Sequence, residues 1–354
     1  MNDMDRRTFL KRAGVVAAGA AAAGLGIGVS APGLLRRLRR PWDEDAFPPP
    51  GRPRVLVARA ASYDRDLDRT VETALRDLGA TVAGRSILLK PNLVEYDPDT
   101  VINTDPRLVA ATVLALRRLG AASILVAEGP GHRRDTAYVL AASGFTEALR
   151  ESEARFIDLN VAPVRRVALR SRFTDLRELW LPEAVIDADI VISMPKMKTH
   201  HWAGVTLSLK NCFGCVPGRI YGWPKNTLHW AGLPEAVVDV AAAVRPSIQI
   251  VDGIEAMEGD GPINGTPVHA GILVFGTDPV ATDATSALLM GLDPRGIAYL
   301  RDAGRFLGQA DLERIEQVGE DPERWMTPFE VMPAFEHLRL GATSTDGGGP
   351  DGLA

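Results

Sequence analysis

Residues 190–201 read Ile190-Val191-Ile192-Ser193-Met194-Pro195-Lys196-Met197-Lys198-Thr199-His200-His201. A short, unbroken β-branched run is the pattern of a strand buried on both faces, and the Pro that follows ends regular pairing. The same order recurs along the chain. Leu88-Leu89 gives way to Lys90-Pro91-Asn92, and Ile248-Gln249-Ile250-Val251 to Asp252-Gly253-Ile254-Glu255-Ala256-Met257-Glu258-Gly259-Asp260-Gly261-Pro262. Leu273-Val274-Phe275-Gly276 likewise leads to Thr277-Asp278-Pro279-Val280-Ala281-Thr282-Asp283. If these strands are parallel, their carboxyl ends share one edge, which is where open α/β sheets bind ligands.

Working outward, apolar runs predict strands over 55–59, 86–90, 123–127, 155–159, 190–194, 247–251 and 272–275. Helical periodicity predicts helices over 66–78, 106–119, 136–142, 234–244, 279–289 and 311–317, several opening on a Pro that suits the first turn. The expected fold class is α/β: a mostly parallel sheet with helices on both faces and active-site loops at its carboxyl edge. Residues 207–233 show neither period and read as a long functional loop. No internal repeat is present.

That edge gathers ammonium groups from Lys90, Lys196, Lys198 and Lys210, facing carboxylates, and Gly/Pro turns that expose backbone N–H groups. The set suits an anionic substrate. Lys90, Asn92, Lys210, Asn211 and Gly259 are candidate substrate-binding residues, and Lys196, Lys198 and His200 candidate catalytic ones. Asp252, Glu258 and Asp278 are candidate ligands for a hard divalent cation. The alternative is that these lysines and carboxylates pair with one another at loop ends. Of the 40 basic residues 34 are Arg and 6 Lys, so the lysines need a reason; unlike a guanidinium, an ammonium can lose its proton when buried.

Five ordered motifs resemble the DUF362 family: Lys90-Pro91-Asn92; Pro195-Lys196-Met197-Lys198-Thr199-His200; Leu209-Lys210-Asn211 with Phe213-Gly214 and Gly218; Met257-Glu258-Gly259 with Gly261-Pro262; and Asp278-Pro279-Val280-Ala281-Thr282-Asp283. The resemblance covers about residues 85–300 and implies no particular reaction. Family members are often fused to ferredoxin-like modules with two four-iron clusters, or are labelled iron–sulfur proteins. This chain departs from that version: its 2 Cys cannot supply an autonomous iron–sulfur cluster or a four-cysteine zinc site.

Cys212-Phe213-Gly214-Cys215 is a C-x-x-C pair beside Lys210, open to three readings: an incidental or structural pair, a redox-active disulfide with a thiol pKa lowered by the lysine, or ligation shared with another chain. His200 and His201 are adjacent, so in extended chain only one faces the site. His200, in register with Lys196 and Lys198, is the candidate, as a general acid/base, a metal ligand or a histidine bonded to loop carbonyls. His132, in Glu128-Gly129-Pro130-Gly131-His132, is a further rim candidate. That turn lacks the third Gly of an NAD fingerprint, and Walker A, Gly-x-Ser-x-Gly and His-Glu-x-x-His motifs are absent.

Asp5-Arg6-Arg7-Thr8-Phe9-Leu10-Lys11 before the Ala/Gly/Val-rich stretch 13–31 resembles a twin-arginine (Tat) export signal, with a single membrane anchor as the alternative. Val29-Ser30-Ala31 has the form of a cleavage site, followed by Pro32. The expected order is signal or anchor over 1–31, a basic and Pro-rich linker over 32–53, the α/β domain over 54–340 and a disordered tail over 341–354.

The net charge of −5 hides eight basic against two acidic residues in the first forty, which leaves an acidic body and argues against nucleic acid as a partner. The expected partners are the Tat machinery, a small anionic ligand and, in one reading, an iron–sulfur protein. Three function classes stay open: an exported, extracytoplasmic enzyme using lysines and a divalent metal, a non-catalytic redox-complex subunit, or a ligand-binding protein.

Overall fold

The computed structural model describes residues 40–64, 66–131, 135–223 and 225–342. The twin-arginine stretch, the first part of the linker, His132 and the tail beyond 342 lie outside the described residues. The chain divides into Met1–Asp43 and Glu44–Ala354; the sheet, its helices and the candidate site all belong to the second. No described helix is long and apolar enough to cross a membrane.

The described strands are β1 (Arg54–Arg59), β2 (Ser86–Pro91), β3 (Ser123–Glu128), β4 (Arg155–Asp158), β5 (Val164–Ala168), β6 (Glu178–Pro182), β7 (Ile190–Met194), β8 (Lys196–His200), β9 (Gly204–Thr206), β10 (Ile248–Glu258), β11 (Thr266–Gly276) and β12 (Glu316–Gly319). The main sheet runs β12-β1-β11-β10-β7-β2-β3-β4, with β8 and β9 branching from β10 and β5–β6 forming a separate pair. Strands β10, β7, β2, β3 and β4 are mutually parallel. Central β2 and β7 are the apolar runs read from the sequence, and they are buried on both faces because helices cover both. The outermost strands β12 and β4 have only four residues each, which limits the unpaired edge.

Strand β11 runs antiparallel to both of its neighbours, β1 and β10. Its last residue, Gly276, pairs with Val55 and Gln249 near the starts of those strands. The segment from Asp278 therefore leaves from the amino edge, a correction to the expectation that all four polar segments share one edge.

The helices are α1 (Leu67–Asp77), α2 (Pro106–Arg118), α3 (Thr136–Ala142), α4 (Phe145–Glu151), α5 (Glu183–Asp187), α6 (Ser208–Asn211), α7 (Gly218–Tyr221), α8 (Asn226–Trp230), α9 (Leu233–Val244), α10 (Pro279–Leu289) and α11 (Ala298–Ala303). In α1 the buried residues Leu67, Val71, Ala74 and Leu75 recur at helical spacing and join one core with Leu108 and Leu116 of α2, Leu89 of β2 and Phe275 of β11. On the other face α10 packs against β1, β10 and β11, and α9 packs against α6 and α11. Helix α10 starts on Pro279, with the Asp278 carboxylate accepting from the Val280 and Ala281 N–H groups. The expected helix over 311–317 is instead a 3-10 turn, Leu312–Arg314, leading into edge strand β12. The aperiodic stretch 207–233 resolves into α6, a 3-10 turn at Cys212–Cys215, α7 and α8, each too short to show a period.

Candidate functional site

Pro195 lets the chain leave β7 and re-pair as β8 with the far part of β10. Asp252 pairs with Lys196 but Met257 already with Lys198, so five positions of β10 pass two of β8. That slip breaks the simple alternation that would put Lys196, Lys198 and His200 on one face.

Lys196 Nζ donates to Asp252 Oδ2 at 2.7 Å, to the Tyr63 hydroxyl at 3.0 Å and to the Glu255 carbonyl at 2.8 Å. Tyr63 in turn donates to Asp252 Oδ1 at 2.7 Å; burial first, then the Asp252 charge, pushes its phenol up, so it stays a donor. All three ammonium donors are used. Lys196 faces a cavity of about 380 Å³ most of whose charged groups are already matched: Arg107 bonds Asp64 at 2.8 Å and Asp105 at 2.9 Å, Glu255 contacts His269, and Asp97 accepts from the Asp99 N–H at 2.9 Å.

A second cavity, about 440 Å³, opens on the other side. Asn92 enters it from the end of β2, Glu128 and Gly129 from the end of β3, Lys198 and His200 from β8, Thr206 from β9, and Lys210, Lys225 and His229 from the short-helix segment. Its electrostatics are lopsided. Glu128 is spoken for by Lys90, both buried, and Lys90 spends its remaining donors on Asn211 Oδ1 at 3.0 Å and the Pro91 carbonyl at 3.1 Å. Lys90 is thus saturated beneath the floor rather than free for substrate, and Asn211 holds it there.

The other lysines keep donors in reserve. Lys198 Nζ gives two hydrogen bonds, to Ile102 O at 2.8 Å and Pro262 O at 3.3 Å. Lys225 Nζ gives two, to Gly129 O at 2.8 Å and Asn160 Oδ1 at 3.2 Å. Lys210 Nζ lies 4.7 Å from the Phe213 ring centre and makes no hydrogen bond among the described residues. One donor each on Lys198 and Lys225 and three on Lys210 therefore await a partner. Asn92 Oδ1 and Thr206 Oγ1 are buried without one as well, and buried polar atoms left unpaired cost stability unless a ligand or water meets them. Burial, joined for Lys210 by the like charges of Lys225 and Lys90 and opposed for Lys225 by Glu128, holds Lys210 and Lys225 at about 8, and burial followed by Lys210 and Lys196 holds Lys198 well below the ordinary lysine value.

The histidines divide by tautomer. His200 Nδ1 accepts from the Trp202 and Ala203 N–H groups at 3.0 and 3.2 Å, so the neutral ring carries its proton on Nε2 and is a donor. Burial and the nearby Lys210 keep it neutral. His229 Nδ1 lies 3.1 Å from the Lys225 carbonyl, which can only accept; neutral His229 therefore presents Nε2 as an acceptor. His229 thus differs from His200 in presenting an acceptor nitrogen, while burial holds its pKa below the ordinary histidine value. His201 also lines the cavity, because β8 ends at His200 and the turn after it abolishes alternation; its Nδ1 sits 3.0 Å from Asp260 Oδ1.

The three expected metal ligands are not brought together. Asp252 is consumed by Lys196, Tyr63 and the Asp105 N–H. Glu258 accepts from the Glu330 N–H at 2.8 Å, and Asp278 caps α10 at the opposite edge. Among the described residues no group of three or more His, Cys, Asp and Glu is placed to hold a metal ion. Gly259 is likewise a turn residue, with φ +78° and its N–H given to the Glu330 carbonyl at 2.9 Å.

Cys212 and Cys215 are free thiols, both buried. The lysine effect expected on them exists, through Lys90, but burial outweighs it and pushes both thiols up, Cys215 to about 12. Asp283, pushed up to about 7 by burial, accepts from the Ser208 and Leu209 N–H groups at 2.7 and 2.9 Å and so pins the start of α6. Gly214 closes the floor: a Cβ there would lie 1.8 Å from Glu128 Oε1 and 2.6 Å from Lys90 Nζ.

Lys225 and His229 were missed as site residues because both sit in the aperiodic stretch. The one signal for Lys225 was the scarcity of lysine: four of the five described lysines are fully buried and Lys210 half-buried, whereas no described arginine is buried.

A family model described as "Domain of unknown function (DUF362)" matches residues 87–287. The thylakoid-associated protein sll1697 of Synechocystis sp. is 30% identical over 297 residues, spanning 79% of this chain and 89% of that one. The lactate racemase apoprotein of Thermoanaerobacterium thermosaccharolyticum aligns over 64% of this chain and 55% of its own length, with 14% identity and a TM-score of 0.39.

Proposed function

The chain belongs to the DUF362 family, and on that premise we propose that it is an enzyme acting on a small anionic molecule, a carboxylate or phosphate, in the cavity between β8 and the short-helix segment. One observation carries the reading. Lys198, Lys210 and Lys225 converge on a cavity whose single carboxylate, Glu128, is already neutralised by Lys90, and Lys210 and Lys225 keep unspent donors there. An excess of buried positive charge is unfavourable unless an anion offsets it. In this scheme Lys210 and Lys225 hold the anionic group, His200 Nε2–H donates to an oxygen of the substrate, and His229 Nε2 moves the proton.

The twin-arginine stretch supports action outside the cytoplasm, and the thylakoid association of the Synechocystis relative is compatible with work at or beyond a membrane. Titration of Trp202 fluorescence with phosphate, oxalate and lactate tests the binding, since Trp202 stands at the cavity mouth with its ring 5.6 Å from that of His229. Saturable binding that is lost in Lys210→Met is the expected result. Equal affinity of wild type and variant for all three anions would sink the proposal.

A further inference from the structure

Resting on that anion-binding reading, we infer that Lys198 is an amine nucleophile and that the substrate class is an anion carrying an aldehyde or ketone. Lys198 shares with Lys225 a buried nitrogen that lines the cavity and meets no carboxylate, and differs in having only backbone carbonyls as partners and in standing on β8 two residues from His200. It is wholly buried, lines the cavity, and its nitrogen touches two backbone carbonyls and no carboxylate. Carbonyl oxygens accept only. In the amine form the two N–H groups are therefore satisfied, and the remaining tetrahedral position, the lone pair, has no protein partner.

The charged groups around it favour that form. Burial, Lys210, Lys196 and Lys90 all oppose a proton on Lys198, and Glu128, already paired, is the one opposing influence. An arginine could not fill this role, which accounts for lysine in a chain that elsewhere uses arginine. A buried amine with no salt bridge is the usual form of a Schiff-base lysine.

The rest of the cavity supplies what condensation needs. His200 lies two residues along the same strand, about 7 Å by strand rise, with an Nε2–H able to polarise a carbonyl oxygen. Asn92 Oδ1 and Thr206 Oγ1 are unpaired groups of the kind a carbinolamine hydroxyl would meet. The step balances without a redox partner. The Lys198 nitrogen forms a C–N bond to the carbonyl carbon, the two amine protons pass to the carbonyl oxygen with His229 Nε2 relaying one of them, and the C–O bond breaks to release water and leave an imine.

The test is reductive trapping on the full chain: pyruvate or glyoxylate with cyanoborohydride, followed by peptide mapping, with phosphate as competitor and phosphate binding measured in parallel by fluorescence. The expected result is an adduct on Lys198 in excess of any on Lys90, Lys196 and Lys225, suppressed by phosphate and absent in Lys198→Met. Phosphate binding with no adduct, or with the adduct on Lys210, overturns the nucleophile while leaving the anion cavity standing. Absence of both overturns the two together. Because the label is mapped in wild type, the outcome does not depend on the variant folding.

Discussion

Lys196 and Lys198 stand two residues apart on one strand and end in opposite electrostatic company. Lys196 Nζ lies 2.7 Å from Asp252 Oδ2, whereas Lys198 Nζ meets the carbonyl oxygens of Ile102 and Pro262 and no carboxylate. The first is a buried ion pair that holds β8 to β10; the second is a buried amine nitrogen without a counter-charge. Only the second is available to a ligand.

Removing one member of the first pair should therefore act on stability rather than on binding. Lys196→Met leaves Asp252 charged and buried, and is expected to cost about 3–5 kcal/mol. Lys196→Met with Asp252→Leu should recover much of that loss. Urea denaturation of the three proteins checks it; a double variant no more stable than the single one would contradict the assignment.

Gly214 sets the floor of the cavity by lacking a side chain. Gly214→Ala forces its Cβ against Glu128 and Lys90, with an overpacking cost of about 1–3 kcal/mol. Anion affinity should fall along with the unfolding midpoint. Unchanged affinity and stability would mean that the Lys90–Glu128 pair does not need that space.

Protonation gives two trends of opposite sign. Lys210 and Lys225 are held at about 8 against an ordinary 10.5, so the ammonium that binds an anion is lost as pH rises through about 8, and anion affinity should fall there. The same depression means that the unfolded chain holds more protons than the folded one between about 8 and 10.5, so these two groups raise the stability of the ligand-free fold across that window. Binding and denaturation series at pH 7, 8 and 9 read both, and Lys210→Met should flatten each.

The thiols of Cys212 and Cys215 should be unreactive in the native state. Both are buried and both are pushed up, Cys215 to about 12, so the thiolate fraction near neutral pH is negligible. A thiol-titrating disulfide reagent should modify neither until denaturant is added, then both. Rapid native labelling of either would reopen the redox reading of the C-x-x-C pair.

The alternation of buried apolar strands with helical periods was legible from the amino-acid order, because both patterns are local and are set by the pleat and the helical turn. The scarcity of lysine was legible too, and the five described lysines are the basic side chains drawn inside the fold, four buried and Lys210 half-buried. The direction of β11 was not legible. Reading β10 as ending at residue 251 left a gap wide enough for a parallel crossover, whereas the full strands, Ile248–Glu258 and Thr266–Gly276, leave only a short connection that permits a hairpin. That one reversal carries Asp278 to the far edge. Tertiary structure alone decided which lysines are neutralised, by bringing Glu128 to Lys90 and Asp252 to Lys196 across 38 and 56 residues. It also placed Lys225 and His229 in the same cavity lining as Lys198. Charge pairing depends on distances of a few ångströms between residues far apart in the chain, and no local pattern encodes them.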